Sequence, residues 1–233
     1  TVNFSPYGYT ETYHVNATGN NRTVRMMSTP KIGQSGGRLV VDGLLDQGVD
    51  TLFCVPGESY LSVLDAIYDA QDRLRLVSCR HESGAAMMAV AQAHLTGRTG
   101  VCFVTRGPGA TNASIALHIA QQASIPLVLG VGQVRQDALG REAFQELDLE
   151  SFFKPVTKHV QQITCTKAIP LAVAKAFQIA ASDRPGPVVL AFPQDVLAEI
   201  VVAGPEIPRL PRQRGLHKSE VEQIKSLLQQ AHQ

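Results

Sequence analysis

No tryptophan occurs in the 233 residues, and the four cysteines, Cys54, Cys79, Cys102 and Cys165, stand far apart with no CxxC pair. That spacing excludes a zinc knuckle and a redox dithiol, and leaves four separate thiols suited to a reducing cytoplasm. No apolar run reaches the roughly 18 residues that span a bilayer, and no charged start with an apolar core opens the chain as a secretory signal does. Neither sign of charge dominates: 21 Lys and Arg face 20 Asp and Glu, a formal net charge of +1. Without a global field, nucleic acid and anionic membranes are poor partners. A small neutral or anionic metabolite is the expected one.

What is present is enough apolar material, 44% of the residues, to bury the core of one compact domain with extensions. Residues 1–36 are rich in Asn, Thr, Tyr, Gly and Ser without an apolar period, and read as an irregular tail. The chain opens on Thr1, and Met26-Met27 stand just before the first patterned segment, so the preceding residues read as non-native or as a processed leader.

From Gly37 the pattern is regular. Helical spacing over 38–47 and 59–70 alternates with short apolar runs over 51–55 and 74–78. An Ala- and Met-rich run over 82–95 has the composition of a buried helix, which would place His94, like His118 further on, in the interior. Further strands are expected over 101–105, 126–131 and 187–192, and helices over 110–122 and 166–181. Apolar strands alternating with helices predict an α/β fold, an open parallel sheet with helices on both faces and ligands at the carboxyl ends of its strands. Beyond Phe192 the prolines Pro193, Pro205, Pro208 and Pro211 read as a linker, followed by a helix over 217–230. The expected organisation is therefore a tail over 1–36, one domain over 37–200, and a linker with the start of a truncated central domain over 201–233.

Three unusual segments each follow a strand: Val55-Pro56-Gly57, Arg80-His81-Glu82 and Gly107-Pro108-Gly109. A parallel sheet gathers them at one edge. Glu82 alone has a plain explanation, because acids favour helix N-termini through the dipole and the free backbone donors. His81 admits a capping and a catalytic reading alike. The glycine-proline-glycine segment is a tight strand-to-helix turn on its own terms.

In order and approximate spacing, however, 79–88, 107–112, Gly132-Gln133 with Ala143-Phe144-Gln145-Glu146, and Arg184-Pro185-Gly186-Pro187-Val188 ending in Phe192-Pro193 resemble the landmarks of the pyrimidine-binding (PYR) domain of thiamine diphosphate enzymes of the acetolactate synthase type. The resemblance covers about 37–200. It implies that Glu82 is the catalytic carboxylate, which hydrogen-bonds the aminopyrimidine and favours the imino tautomer that takes the proton from the reactive thiazolium carbon. The cofactor supplies the hard chemistry, and the protein supplies tautomer control and alignment. By the same resemblance Gly57, Pro108 and Asn112 bind the cofactor, while Phe144 and Gln145 face the substrate, a 2-oxo acid such as pyruvate. A second copy of the PYR domain is the implied partner.

Two positions depart from that pattern. Glu58 follows Pro56-Gly57 where acetolactate synthases often carry another glycine, and Gln194 stands where lysine usually precedes the aspartate. The first leaves the standard substrate in doubt, the second argues for a related branch rather than a standard biosynthetic synthase, and flavin (FAD) stays open. The family's Gly-Asp-Gly motif for diphosphate and magnesium has no match here, and no acid pair with a turn glycine substitutes for it. The expectation is a site whose diphosphate-binding (PP) half lies elsewhere. A fragment of a larger enzyme, a truncated reading frame and one chain of a two-subunit decarboxylase all fit, and a noncatalytic assembly module is the rival reading.

Overall fold

A computed structural model describes residues 33–202 and 217–231. The elements run β1 (Gln34–Ser35), α1 (Gly36–Asp46), β2 (Thr51–Cys54), α2 (Leu61–Asp69), β3 (Arg75–Ser78), α3 (Glu82–Thr96), β4 (Gly100–Thr105), α4 (Arg106–Ala123), β5 (Leu127–Gln133), α5 (Leu149–Phe153), β6 (His159–Gln162), α6 (Ile169–Ala181), β7 (Pro187–Pro193), α7 (Gln194–Ala198), β8 (Ile200–Val201) and α8 (Lys218–Gln230). Six strands form one parallel sheet in the order β3-β2-β4-β5-β7-β6. The remaining two, β1 and β8, pair antiparallel with each other. This is the predicted α/β architecture.

The sheet is parallel because its inner strands are apolar on both faces. All seven residues of β5 and of β7 are buried, and alternate residues of each strand join opposite clusters. Residues of α1, α2, α6 and α7 pack with Leu52, Val101, Phe103, Leu190 and Phe192 on one face. Helices α3, α4 and α5 pack with Phe53, Cys102, Val104, Leu129 and Val189 on the other. The largest aromatic group sits in the first cluster, where Phe103 stacks on Phe192 at 6.0 Å and tilts against Tyr60 at 5.7 Å. Gly130 on β5 makes room for it, since a Cβ built there would lie 2.6 Å from Phe103 Cε2.

Four local readings change. The Gly107-Pro108-Gly109 segment is the first turn of α4, which starts at Arg106; proline is tolerated there because first-turn N–H groups have no intrahelical acceptor. The stretch between the strand expected over 126–131 and the helix expected over 166–181, to which no element is assigned from the sequence, contains α5 and the edge strand β6. The segment after Phe192 is not simply a linker, because α7 follows at once and β8 closes on β1. His94 and His118 are exposed, as are Met88 and Leu95, so α3 buries one face and presents the other. Of the segment read as a tail over 1–36, residues 1–32 lie outside the described residues, as does the proline-rich segment over 203–216, while 33–36 carry β1 and the first residue of α1.

All four cysteines are free. Burial pushes the Cys54 thiol up to about 11, and raises those of Cys79 and Cys102 as well. These three are protonated packing groups at neutral pH and not nucleophiles.

Candidate functional site

Connections from β2 lead to β3 on one side of the sheet, and those from β3 lead back to β4 on the other, so the strand order reverses between β2 and β4. Open α/β sheets bind ligands at the carboxyl ends of the strands flanking such a switch point. Here the chain brings Pro56-Gly57 and Thr105-Arg106 together. A Cβ on Gly57 would fall 2.7 Å from Thr105 Oγ1 and 2.8 Å from Thr105 Cγ2, so only glycine permits this approach. Ser59 Oγ and Thr105 Oγ1 share a 2.7 Å hydrogen bond, and Tyr60 donates its hydroxyl to the Val55 carbonyl at 2.5 Å, fixing the loop.

Glu82 opens α3 next to this edge. His81 caps the helix with Nδ1, which accepts from Ser83 N at 3.2 Å, so the structure gives this histidine a capping role. The Glu82 carboxylate is half-buried, and its Oε2 accepts from Asn112 Nδ2 on α4 at 2.9 Å. Its Oε1 faces Gly109: a Cβ there would lie 3.5 Å from that oxygen and 3.2 Å from Val104 Cβ. Glycine therefore leaves Oε1 uncovered while Asn112 holds the other oxygen. Asn112 orients the acid; the sequence pattern alone does not show this.

The third contribution is the loop after β5. Gly107 N donates to the Gln145 carbonyl at 2.8 Å, which docks the loop on the first turn of α4. Gln133, fully buried, donates Nε2 to the Leu147 carbonyl and accepts from Val134 N, each at 2.9 Å, and so anchors the loop's far end. Within the loop the Glu146 carboxylate accepts from Gly140 N at 2.5 Å and Ala143 N at 2.9 Å. These donors hold the Glu146 carboxyl below its ordinary value. Gly140, Glu142 and Gln145 all have positive φ, so the turn is tight. At its tip Phe144 is 76% exposed, with Gln145 half-buried beside it and Pro108 exposed on α4.

The six predicted site residues thus fall on neighbouring segments. Glu82 touches Asn112, Gln145 touches the α4 turn that carries Pro108, and Gly57 touches the strand that leads into it. Phe144 has no such contact. An open depression on the loop, lined by Gly140, Glu142, Ala143, Glu146, Leu147 and Asp148, includes neither Glu82 nor Asn112. The oriented carboxylate, not that concavity, is the candidate site, because a preorganised acid at a switch point offers directed chemistry. Among the described residues no group of three or more His, Cys, Asp or Glu side chains is arranged to hold a metal. One pair escapes sequence reasoning entirely: Arg106 and Glu58, whose side chains meet at 2.9 Å.

Residues 34–152, which include every segment of this edge, match the family model described as "Thiamine pyrophosphate enzyme, N-terminal TPP binding domain". The chain belongs to this family. The acetolactate synthase of Mycobacterium bovis is 45% identical over 163 residues, which cover 70% of this chain and 26% of that protein. The acetolactate synthase isozyme 2 large subunit of Escherichia coli K12 is 39% identical over 197 residues, 84% of this chain and 36% of that protein. The acetolactate synthase large subunit of Corynebacterium glutamicum is 39% identical over 201 residues, 84% of this chain and 32% of that protein. The chain therefore spans between about a quarter and just over a third of the length of these curated relatives. It is a thiamine diphosphate-binding domain of the acetolactate synthase-like type. Among its described residues no helix is long and apolar enough to cross a membrane.

Proposed function

We propose that this domain is the pyrimidine-binding half of a cytoplasmic enzyme that acts on a 2-oxo acid, with Glu82 as the carboxylate that activates thiamine diphosphate. The observation that carries the reading is the Glu82–Asn112 contact, with Glu82 Oε1 left uncovered beside Gly109. The residues fit the cofactor: Glu82 Oε1 has no hydrogen-bond partner among the described residues and can meet a ring nitrogen, and Gly109 places no side chain against it. The chemistry that thiamine diphosphate supplies when bound is nucleophilic attack on the 2-oxo carbon and storage of the electron pair released on decarboxylation.

The chain's own residues bind and orient. Glu82 Oε1 meets the pyrimidine N1′ and holds its proton, while the Asn112 amide keeps the carboxylate in register. Gly57 and Pro108 frame the ring, and Phe144 with Gln145 faces the 2-oxo acid. The diphosphate and its magnesium belong to a PP domain outside this one, in the same protein or in a partner chain.

The expected PYR partner is a second copy, supported by the outward face of α3. There Gly84, Met88, Ala91 and Leu95 form an exposed apolar stripe at helical spacing, with Ile115 of the adjoining α4 53% exposed. That stripe equally favours the rival reading, a noncatalytic assembly module. Calorimetry separates them: thiamine diphosphate with magnesium binds in the presence of a PP-domain partner on the first reading. Self-association with no cofactor uptake, whether the domain is alone or with a PP-domain partner, establishes the second.

A further inference from the structure

We propose that Arg106 is the receptor for a small oxyanion, a carboxylate or a phosphate, and that Glu58 is its displaceable counter-ion. Arg106 stands where β4 ends and α4 begins, at the switch point, with φ +46. That left-handed conformation disfavours a residue bearing a Cβ, and such outliers gather where function over-determines the backbone. Glycine occupies the next position but not this one. The chain keeps a guanidinium here in spite of the strain.

The guanidinium is also under-used. Arg106 is 9% exposed, and the group carries five N–H donors with no acceptor and a permanent charge. Its Nη2 lies 2.9 Å from Glu58 Oε1, while its Nε is buried without a partner among the described residues. A buried donor left unmatched is costly, so this fork is built for more than one carboxylate oxygen.

The two partners differ in their surroundings. The Arg106 side chain is 11% exposed and that of Glu58 is 70% exposed. The cation is fixed and the anion is free to swing into water. An oxyanion arriving from solvent competes with Glu58 for the same donors, and the dipole of the 18-residue helix α4, whose N-terminus Arg106 opens, adds to the attraction. Planar, two-oxygen groups match the guanidinium fork best, which selects carboxylates and phosphates over chloride.

A purely structural ion pair makes the opposite prediction for Glu58, and this separates the two. The test uses the 233-residue chain without thiamine diphosphate, so it stands or falls apart from the cofactor reading. The Arg106 Nε–Hε resonance, assigned by its loss in Arg106→Lys, is followed while sodium phosphate or sodium acetate replaces sodium chloride at constant ionic strength. Saturable movement is expected with at least one of them, and the tighter one names the ligand's anionic group. Glu58→Gln removes the competitor and should lower the apparent Kd by about two- to fivefold. Backbone amide spectra verify that both variants remain folded. No saturable movement with either anion, or weaker binding in Glu58→Gln, overturns the proposal.

Discussion

At the scale of single residues, the orientation of the Glu82 carboxylate rests on one hydrogen bond. Asn112 Nδ2 holds Glu82 Oε2 at 2.9 Å, and hydrogen bonds to charged groups contribute more than neutral ones. Asn112→Ala should therefore lower turnover of the assembled enzyme by about 10- to 100-fold while its unfolding temperature stays close to that of the parent. A loss of activity that tracks a loss of fold would show Asn112 to be structural. Gly130 tests the core in the same way. A methyl there collides with the Phe103 ring, and overpacking of this kind costs about 1–3 kcal/mol, read as a lower denaturant midpoint for Gly130→Ala. Glu82 is legible in the sequence by position only as an acid at the start of an Ala-rich helix, which the dipole explains, and its catalytic reading comes from the ordered landmarks around it. Its orientation by Asn112, and the meeting of Arg106 with Glu58, are not legible. Those contacts join residues distant in sequence, and only the strand order of the sheet brings them together.

At the scale of elements, β4, β5 and β7 are readable because uninterrupted apolar runs are the mark of strands buried on both faces. The edge strand β6, with the sequence His-Val-Gln-Gln, lacks that mark and pairs on one side only. Its half-buried polar residues look like loop. The misplaced start of α4 has a different cause: glycine and proline signal a turn, yet a first helical turn also tolerates both. The loop carrying Phe144 and Gln145 is organised by the Glu146 carboxylate, whose folded pKa is depressed below the ordinary 4.5 by backbone donors. A depressed acid stabilises the loop above that value, and the contribution is lost as pH falls through the folded pKa. Amide exchange at Gly140 and Ala143 should therefore stay slow from neutrality down to about pH 4.5 and quicken only below it. Protection already lost near neutrality would contradict this. On the other side of the domain, Leu95 at 83% exposure ends the apolar stripe of α3. Leu95→Glu should abolish self-association in sedimentation experiments without unfolding the chain, and an unchanged oligomeric state would remove that face as the interface.

At the scale of the whole molecule, the domain is, on the proposed reading, one part of an active site. The α/β architecture was readable from the alternation of apolar strands and helices, and the ordered landmarks pointed to a thiamine diphosphate enzyme, which the family match over 34–152 shows. The match covers only about a quarter to just over a third of each relative, and on the reading proposed above the reaction depends on a diphosphate-binding half beyond this domain. What the domain contributes on this account is an oriented carboxylate at a sheet switch point. The most direct measurement is the rate at which the thiazolium carbon of bound thiamine diphosphate exchanges its proton for deuterium, compared between the active assembly and its Glu82→Gln variant at equal cofactor occupancy. A positioned acid–base group is worth about 10²–10⁴-fold, and the account predicts a slowing of that size with the fold intact. Exchange in Glu82→Gln at the parent rate would contradict the role given to Glu82.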